Sequence, residues 1–262
     1  MQWISKLGPY CEARTRLGGP TRAWRHEAGF GARVTPHRVL PETRLSLVTE
    51  RRFTPDGRLL ETRDWVYGPI STPRLYAPAP GTILEGVFIP AERAIAVLGV
   101  RAYELTDVMA ARTDFPRLAP EATADNTSAG ILASWAARLL RATAGRVRIK
   151  RLAERAGVSV RHLNRCMVNQ LGRAPKALAM ELRMMAAVQR ADALAAPDWA
   201  DIAVAAGFSD QAHLSRTIKT RTGLTPRALH AERRAESDLF KIAAPACPTL
   251  TALGLSRQEA SP

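Results

Sequence analysis

The spacing of apolar residues changes about halfway along the chain. In the first half they fall in short runs. Leu45, Leu47 and Thr49 alternate with Ser46, Val48 and Glu50, the period of a half-buried strand. Asp56-Gly57 stands between the apolar flanks Phe53 and Leu59-Leu60, which predicts a hairpin. Trp65-Val66-Tyr67, closed by Gly68-Pro69, and Gly86-Val87-Phe88-Ile89, closed by Pro90, predict two further short strands. Pro90 suits the opening of a helix over 91–98, with Ile95 and Leu98 on one face. Residues 71–81 carry Pro73, Pro78, Pro80 and Gly81 and read as loop. Residues 1–36 show neither period, and Gly18-Gly19-Pro20 and Gly29-Phe30-Gly31 punctuate them.

Beyond residue 127 the period lengthens to that of a helix. Leu132, Trp135 and Leu139 form a stripe on 128–142, a face for packing within the chain or against a second copy. Ile149, Leu152, Ala153 and Ala156 stand at i, i+3, i+4 and i+7, a single buried face. Gly157 then supplies the positive φ of a sharp turn, Val158 fills the angle, and Ser159 caps the next helix. In that helix Leu163, Met167 and Leu171 point inward, which leaves Arg161, Asn164, Arg165 and Val168 outward. This is a helix-turn-helix pattern, and Arg and Asn are side chains that grip guanine and adenine edges in a major groove.

The pattern recurs about fifty residues later in Ala206-Gly207-Phe208-Ser209. Ile202, Ala203 and Ala206 form its core face and Leu214 and Ile218 point inward, leaving Gln211, Ala212, Ser215 and Arg216 outward. Leu163 to Gly172 and Leu214 to Gly223 span the same nine residues, and each Gly is followed three positions on by a proline, Pro175 and Pro226. The second turn is one residue longer, and Asp210 puts an acidic group at its helix start. Between the copies, 176–195 has neither Gly nor Pro and carries the stripe Leu178, Leu182, Met185 and Val188. Such a helix is about 30 Å long, close to the ~34 Å between successive major-groove faces of a duplex.

These readings make the chain α+β: a small β-rich N-terminal domain, then an all-α domain of two helix-turn-helix subdomains joined by a long helix. The expected segments are an irregular arm over 1–36, a β-rich sensor or regulatory domain over 37–110, a linker over 111–127 rich in Ala, Thr, Asp and Pro, the helical domain over 128–234, and a tail over 235–262.

Charge strengthens this picture. The net charge is +14, which points to a polyanionic partner. Residues 146–234 hold 17 Lys+Arg against 7 Asp+Glu, whereas residues 1–145 hold 19 against 14, so the excess sits on the segment with the two turns. Cys11, Cys166 and Cys247 are odd in number and far apart, which argues against a disulfide framework or a zinc site. No catalytic motif is present: His26 and His37 lack ligand-spaced partners, and Trp65, Tyr67 and Phe88 read as core, with a small-ligand site between the strands as the alternative. No apolar run reaches the ~18 residues of a membrane span, and the N-terminus lacks a signal pattern, so a cytoplasmic location is expected.

Residues 146–234 closely resemble the DNA-binding domain of the AraC/XylS family of bacterial transcription regulators. The matching residues are Leu152-Ala153, Ala156-Gly157-Val158-Ser159, His162-Leu163-x-Arg165, Gly172-x-x-Pro175, Arg183, the run Ala206-Gly207-Phe208-Ser209-Asp210-Gln211-x-His213-Leu214-Ser215-Arg216, and Gly223-Leu224-Thr225-Pro226. The resemblance implies seven helices in two subdomains, with base-contacting positions on Arg161, Asn164 and Arg165 and on Gln211, Ala212, Ser215 and Arg216. The sequence departs from the family at Leu229, where an aromatic residue is usual, at His230, beside an expected phosphate contact, and at Met167 and Ile218, where Phe is usual. The run from Gly86-Val87-Phe88-Ile89-Pro90-Ala91 through Leu98-Gly99-Val100 to Glu104-Leu105-Thr106-Asp107 is similar to the sensor-side domain of one AraC subgroup, whose Pro-Asp-Gly segment is replaced here by Pro41-Glu42-Thr43.

The expected function is a non-enzymatic, sequence-specific DNA-binding regulator. Its contacts to double-stranded DNA fall on Ser159, Arg161, Asn164, Arg165, Ser209, Gln211, Ala212, Ser215 and Arg216. Two alternatives are an interaction protein with a degenerate DNA-binding domain and an alkyl-transfer repair protein, which needs an activated thiolate. RNA polymerase, an unidentified small-molecule effector and a second copy of the chain are the other partners left open. No cofactor, metal or membrane partner is expected.

Overall fold

The computed structural model describes residues 2–5, 8–15, 21–30, 37–115 and 127–238. Gly18-Gly19-Pro20, Gly31, Cys247, most of the expected linker and most of the expected tail lie outside these residues.

The first half is built on strands β1 (Gln2–Ser5), β2 (Gly8–Thr15), β3 (Thr21–Ala28), β4 (His37–Val39), β5 (Leu45–Phe53), β6 (Leu59–Tyr67), β7 (Arg74–Tyr76), β8 (Thr82–Ile89) and β9 (Met109–Ala111). Seven of them form one antiparallel sheet in the order β1-β2-β3-β8-β5-β6-β9, and β4 pairs with β7 in a separate two-stranded sheet. Residues 1–36 are therefore not an irregular arm, because they supply three strands. On β3 the period is hidden in the sequence because charged side chains sit within the sheet. On β3, Ala23 and Arg25 share a face, and Arg25 Nη1 donates to Glu85 Oε1 at 2.6 Å. Arg51 Nη1 donates to the other oxygen, so a buried carboxylate on β8 lies between arginines from the strands on either side.

The hairpin at Asp56-Gly57 joins β5 and β6, with Gly57 at φ +84° and Thr54 Oγ1 accepting the Arg58 N–H at 3.0 Å. The β5 strand is more deeply placed than its alternation suggests, with Leu45, Ser46, Leu47 and Val48 all buried. This strand is paired along both edges, with β6 and β8. Trp65-Val66-Tyr67 is the end of the nine-residue β6 rather than a separate strand. The expected loop 71–81 contains β7. The sheet also runs past residue 110, because β9 pairs with β6, so a boundary drawn there cuts a strand.

After β8, Pro90 leads into a 3-10 turn, Ala91–Arg93, and helix α1 (Ala94–Leu98), which Gly99 ends at φ +78°. A second 3-10 turn, Ala102–Leu105, follows. Asp107 then adopts φ +62°, and its carboxylate accepts Ser71 N at 3.0 Å and Ser71 Oγ, tying this corner to the β6–β7 connection. Those two bonds hold its carboxyl below the usual carboxylate range.

Among the described residues, the second half holds seven helices: α2 (Ser128–Ala142), α3 (Ile149–Arg155), α4 (Val160–Leu171), α5 (Pro175–Asp192), α6 (Trp199–Ala205), α7 (Gln211–Thr222) and α8 (Pro226–Asp238). On α2 the buried residues are small, among them Gly130, Ala133, Ala136 and Ala137, with Leu140. The predicted stripe of Leu132, Trp135 and Leu139 is half-buried and borders this face, because small side chains let neighbouring helices approach the α2 backbone most closely. Helix α5 has 18 residues and is about 27 Å long.

Two apolar cores organise the molecule. The larger runs without a break from the sheet (Leu45, Leu47, Val87, Ile89) through α1 into α2, α3, α4 and the start of α5. The smaller joins the end of α5 to α6, α7 and α8, and it also contains Leu40 from the strand-rich half. Ion pairs cross the same seam. Arg141 Nη1 and Nη2 donate to the two oxygens of the Glu92 carboxylate, and Arg38 Nε donates to Glu232 Oε1 at 2.9 Å.

Candidate nucleic-acid interface

Both helix-turn-helix units close by the same two backbone bonds. In the first, Gly157 N donates to Glu154 O at 3.0 Å and Val158 N to Ala153 O at 3.1 Å. In the second, Gly207 N donates to Val204 O and Phe208 N to Ala203 O, both at 2.9 Å. Gly157 and Gly207 sit at φ +66° and +82°, the left-handed region where glycine carries no Cβ penalty. Leu152 and Ala153 pack beneath the first turn, and Ile202, Ala203 and Phe208 beneath the second.

The caps differ. Ser159 Oγ accepts His162 N at 3.1 Å, as the sequence predicts. At the second turn the cap is Asp210, whose Oδ1 accepts His213 N at 2.7 Å, while Ser209 Oγ donates to Asp210 Oδ2 at 2.9 Å. The His213 N–H, and after it the Ser209 hydroxyl, hold the Asp210 carboxyl below the usual carboxylate range. The extra residue in this turn moves the capping role from Ser209 to Asp210. Both predicted contact serines are thus engaged in holding their own helix starts.

The caps and the inward leucines aim the two helices. Leu163 and Met167 on α4, and Leu214 and Ile218 on α7, are fully buried. Arg161, Asn164 and Arg165 on α4 are exposed on the opposite face, as are Gln211, Ala212 and Arg216 on α7; Ser215 is half-buried. Arg165 is braced from its own helix, with Nη2 lying 3.1 Å from His162 Nδ1. His213 occupies the matching place on α7 and stands edge-on to Phe208 at 5.2 Å between ring centroids.

Helix α5 connects the two units. Arg183 donates from Nε to Gly145 O at 2.8 Å, ahead of α3, and from Nη1 to Gly207 O at 3.3 Å, at the second turn. One side chain therefore spans both subdomains. His230 is turned inward: it is buried, its Nε2 lies 3.1 Å from Leu194 O, and it stands edge-on to Trp199. It is not placed for the phosphate contact expected beside it.

Cys166 is buried on α4, with Sγ 3.4 Å from His162 Nε2. The sequence reading paired no histidine with a cysteine, although the i, i+4 spacing on this helix was the signal. On the strand-rich side, Trp65 donates to Glu50 Oε2 at 2.8 Å, Arg44 lies 3.9 Å over the Phe88 ring, and burial raises the Tyr67 phenol to about 12. All three predicted core aromatics are only half-buried. Among the described residues, no group of three or more His, Cys, Asp or Glu is placed to hold a metal ion, and no helix is long and apolar enough to cross a membrane.

Residues 152–232 match the family model of a helix-turn-helix domain. No curated protein matches the chain. Among solved structures, the chain is similar to an AraC-type transcriptional regulator from Chromobacterium violaceum, with 29% identity over 41% of this chain and 96% of that one at a TM-score of 0.37. It is similar to the DNA-binding domain of AdpA in complex with a target DNA, with 25% identity over 41% and 93% at 0.34. It is also similar to ToxT from Vibrio cholerae, with 8% identity over 81% and 97% at 0.44.

Proposed function

From the AraC-type helix-turn-helix domain that the chain carries over residues 152–232, we propose a sequence-specific DNA-binding transcription regulator whose helices α4 and α7 enter adjacent major grooves. One observation carries this reading: two capped helices, fixed to one another through α5 and Arg183, each present an exposed arginine-bearing face. Arg161, Asn164 and Arg165 read one half-site, and Gln211, Ala212, Ser215 and Arg216 read the other. Surrounding lysines and arginines supply the phosphate attraction. Ser159 and Ser209 act by fixing the helix starts that meet the duplex.

The test is selection of genomic fragments by the purified full chain, followed by measurement of Arg165→Ala and Arg216→Ala on the selected sites. Each substitution is expected to cost about 1–3 kcal/mol at one or two base positions. The two sets of positions are expected about one helical turn apart, roughly 10 base pairs. Equal weakening on every sequence overturns the residue assignment. A wild-type chain that enriches no fragment overturns the reading in favour of an interaction protein. The alkyl-transfer alternative gains no support from Cys166, which lies on the inward side of α4 at 5% exposure.

A further inference from the structure

The C-terminal end of α4 is not free. Gly172 closes the helix at φ +66°, and a Cβ added there would overlap the Cβ of Tyr103 in the 3-10 turn Ala102–Leu105. The sheet domain thus meets the reading helix at its end. Beside this contact lies an open cleft of about 500 Å³ lined by Arg101, Tyr103, Val168, Asn169 and Gly172. Val168 and Asn169 are exposed and stand three and four positions beyond Arg165, so the cleft continues the outward face that carries Arg161, Asn164 and Arg165.

Position along the helix decides what this cleft would meet. Asn169 is about 6 Å further along the α4 axis than Arg165. The major groove is about 12 Å wide, so a helix that reads bases with its first two turns brings its last turn to the groove wall, where phosphates run. Arg101 and Tyr103 are exposed beside this last turn and belong to the other domain. Among the described residues, the acidic group paired with Arg101 is Glu104, with Oε1 at 3.8 Å from Nη1, and both side chains are close to half exposed. A phosphate displaces such a contact at little cost.

We infer that the sheet domain forms part of the DNA-binding surface: Arg101, assisted by the Tyr103 hydroxyl, holds a backbone phosphate at the edge of the groove that α4 reads. This rests on the proposed function and extends it to a second domain. It gives that domain a sequence-independent role in affinity.

The experiment titrates the full chain with a selected fragment across a range of salt, comparing wild type with Arg101→Ala, Tyr103→Phe and Arg58→Ala. Arg58→Ala removes the same charge from the β5–β6 hairpin and serves as the control. Arg101→Ala is expected to weaken binding several-fold on all sequences, with unchanged base preference. Its plot of log affinity against log salt should be shallower by about 0.9, the loss of one phosphate contact. Tyr103→Phe keeps the ring against Gly172 and is expected to weaken binding less, also without changing preference. Arg58→Ala should leave the slope unchanged. An unchanged slope for Arg101→Ala overturns the inference, as does tighter binding, which would make the sheet domain an obstacle. A loss confined to particular bases also overturns it. A wild-type chain that binds no fragment overturns the proposed function itself, an outcome distinct from the other three.

Discussion

Glycines at helix ends separate local strain from contact. Gly157 and Gly223 have positive φ, and a Cβ at either would meet nothing within 4 Å. Gly172 has the same backbone conformation but lies against Tyr103. Gly157→Ala and Gly223→Ala are therefore expected to cost only the left-handed penalty of about 1–2 kcal/mol. Gly172→Ala adds displacement of Tyr103, so its melting temperature should fall furthest; equal losses for all three would show that the contact carries no weight. The left-handed turns were legible because their cause is local: a helix pattern ends, Gly follows, and a capping residue comes next. Asp210 as the cap was half legible, since the longer second turn already shifted the register by one. Tyr103 against Gly172 was not, because nothing in the sequence pairs residues 69 positions apart.

Among the elements, the helices stand close to the bounds that their period predicts, with the stretch 91–98 divided into a 3-10 turn and α1 and with α5 ending at Asp192, while the strands depart further. A helix is made by neighbours in the chain, so caps and stripes mark it. A strand takes its meaning from partners that are distant in sequence. Arg25 and Arg51 look like surface positions until Glu85 is placed between them. That is why the period of β3 is hard to read in the sequence. Helix α5 shows the limit from the other side. Its length was legible, but its role as a strut depends on Arg183, which bonds two carbonyls 62 residues apart. Arg183→Met keeps the bulk of the side chain and removes both bonds, and is expected to cost about 2 kcal/mol of stability. Because it frees one subdomain from the other, binding to a full site should suffer more than binding to a single half-site. Equal effects on both would remove α5 and Arg183 from the coupling.

At the scale of the whole molecule, the seam between sheet and helices carries a titratable group. Glu181 on α5 is buried, and desolvation raises its carboxyl to about 7, with Arg173, Arg221 and Arg141 opposing the shift and Glu42 adding to it. A raised acid favours the protonated folded state. Stability is therefore fullest below the ordinary carboxylate range, declines as pH rises toward about 7, and is constant above that. Glu181→Gln cannot ionise, so its melting temperature should exceed that of wild type at pH about 8 and approach it at pH about 4; parallel profiles would show that Glu181 ionises as it does in water.

Leu40 bears on the order in which the chain folds. It lies near the start of the sequence and completes the core of the last subdomain, nearly 190 residues away from Leu229. Arg38 repeats that span by binding Glu232. Contacts between near neighbours, such as α6 against α7, close small loops and form early, whereas a contact of this separation closes a very large loop and is expected to form late. The second reading helix thus gains its final support only when the ends of the chain have met. Competence for the duplex then becomes one of the last properties the folding chain acquires, and a chain interrupted part-way presents at most one finished reading head.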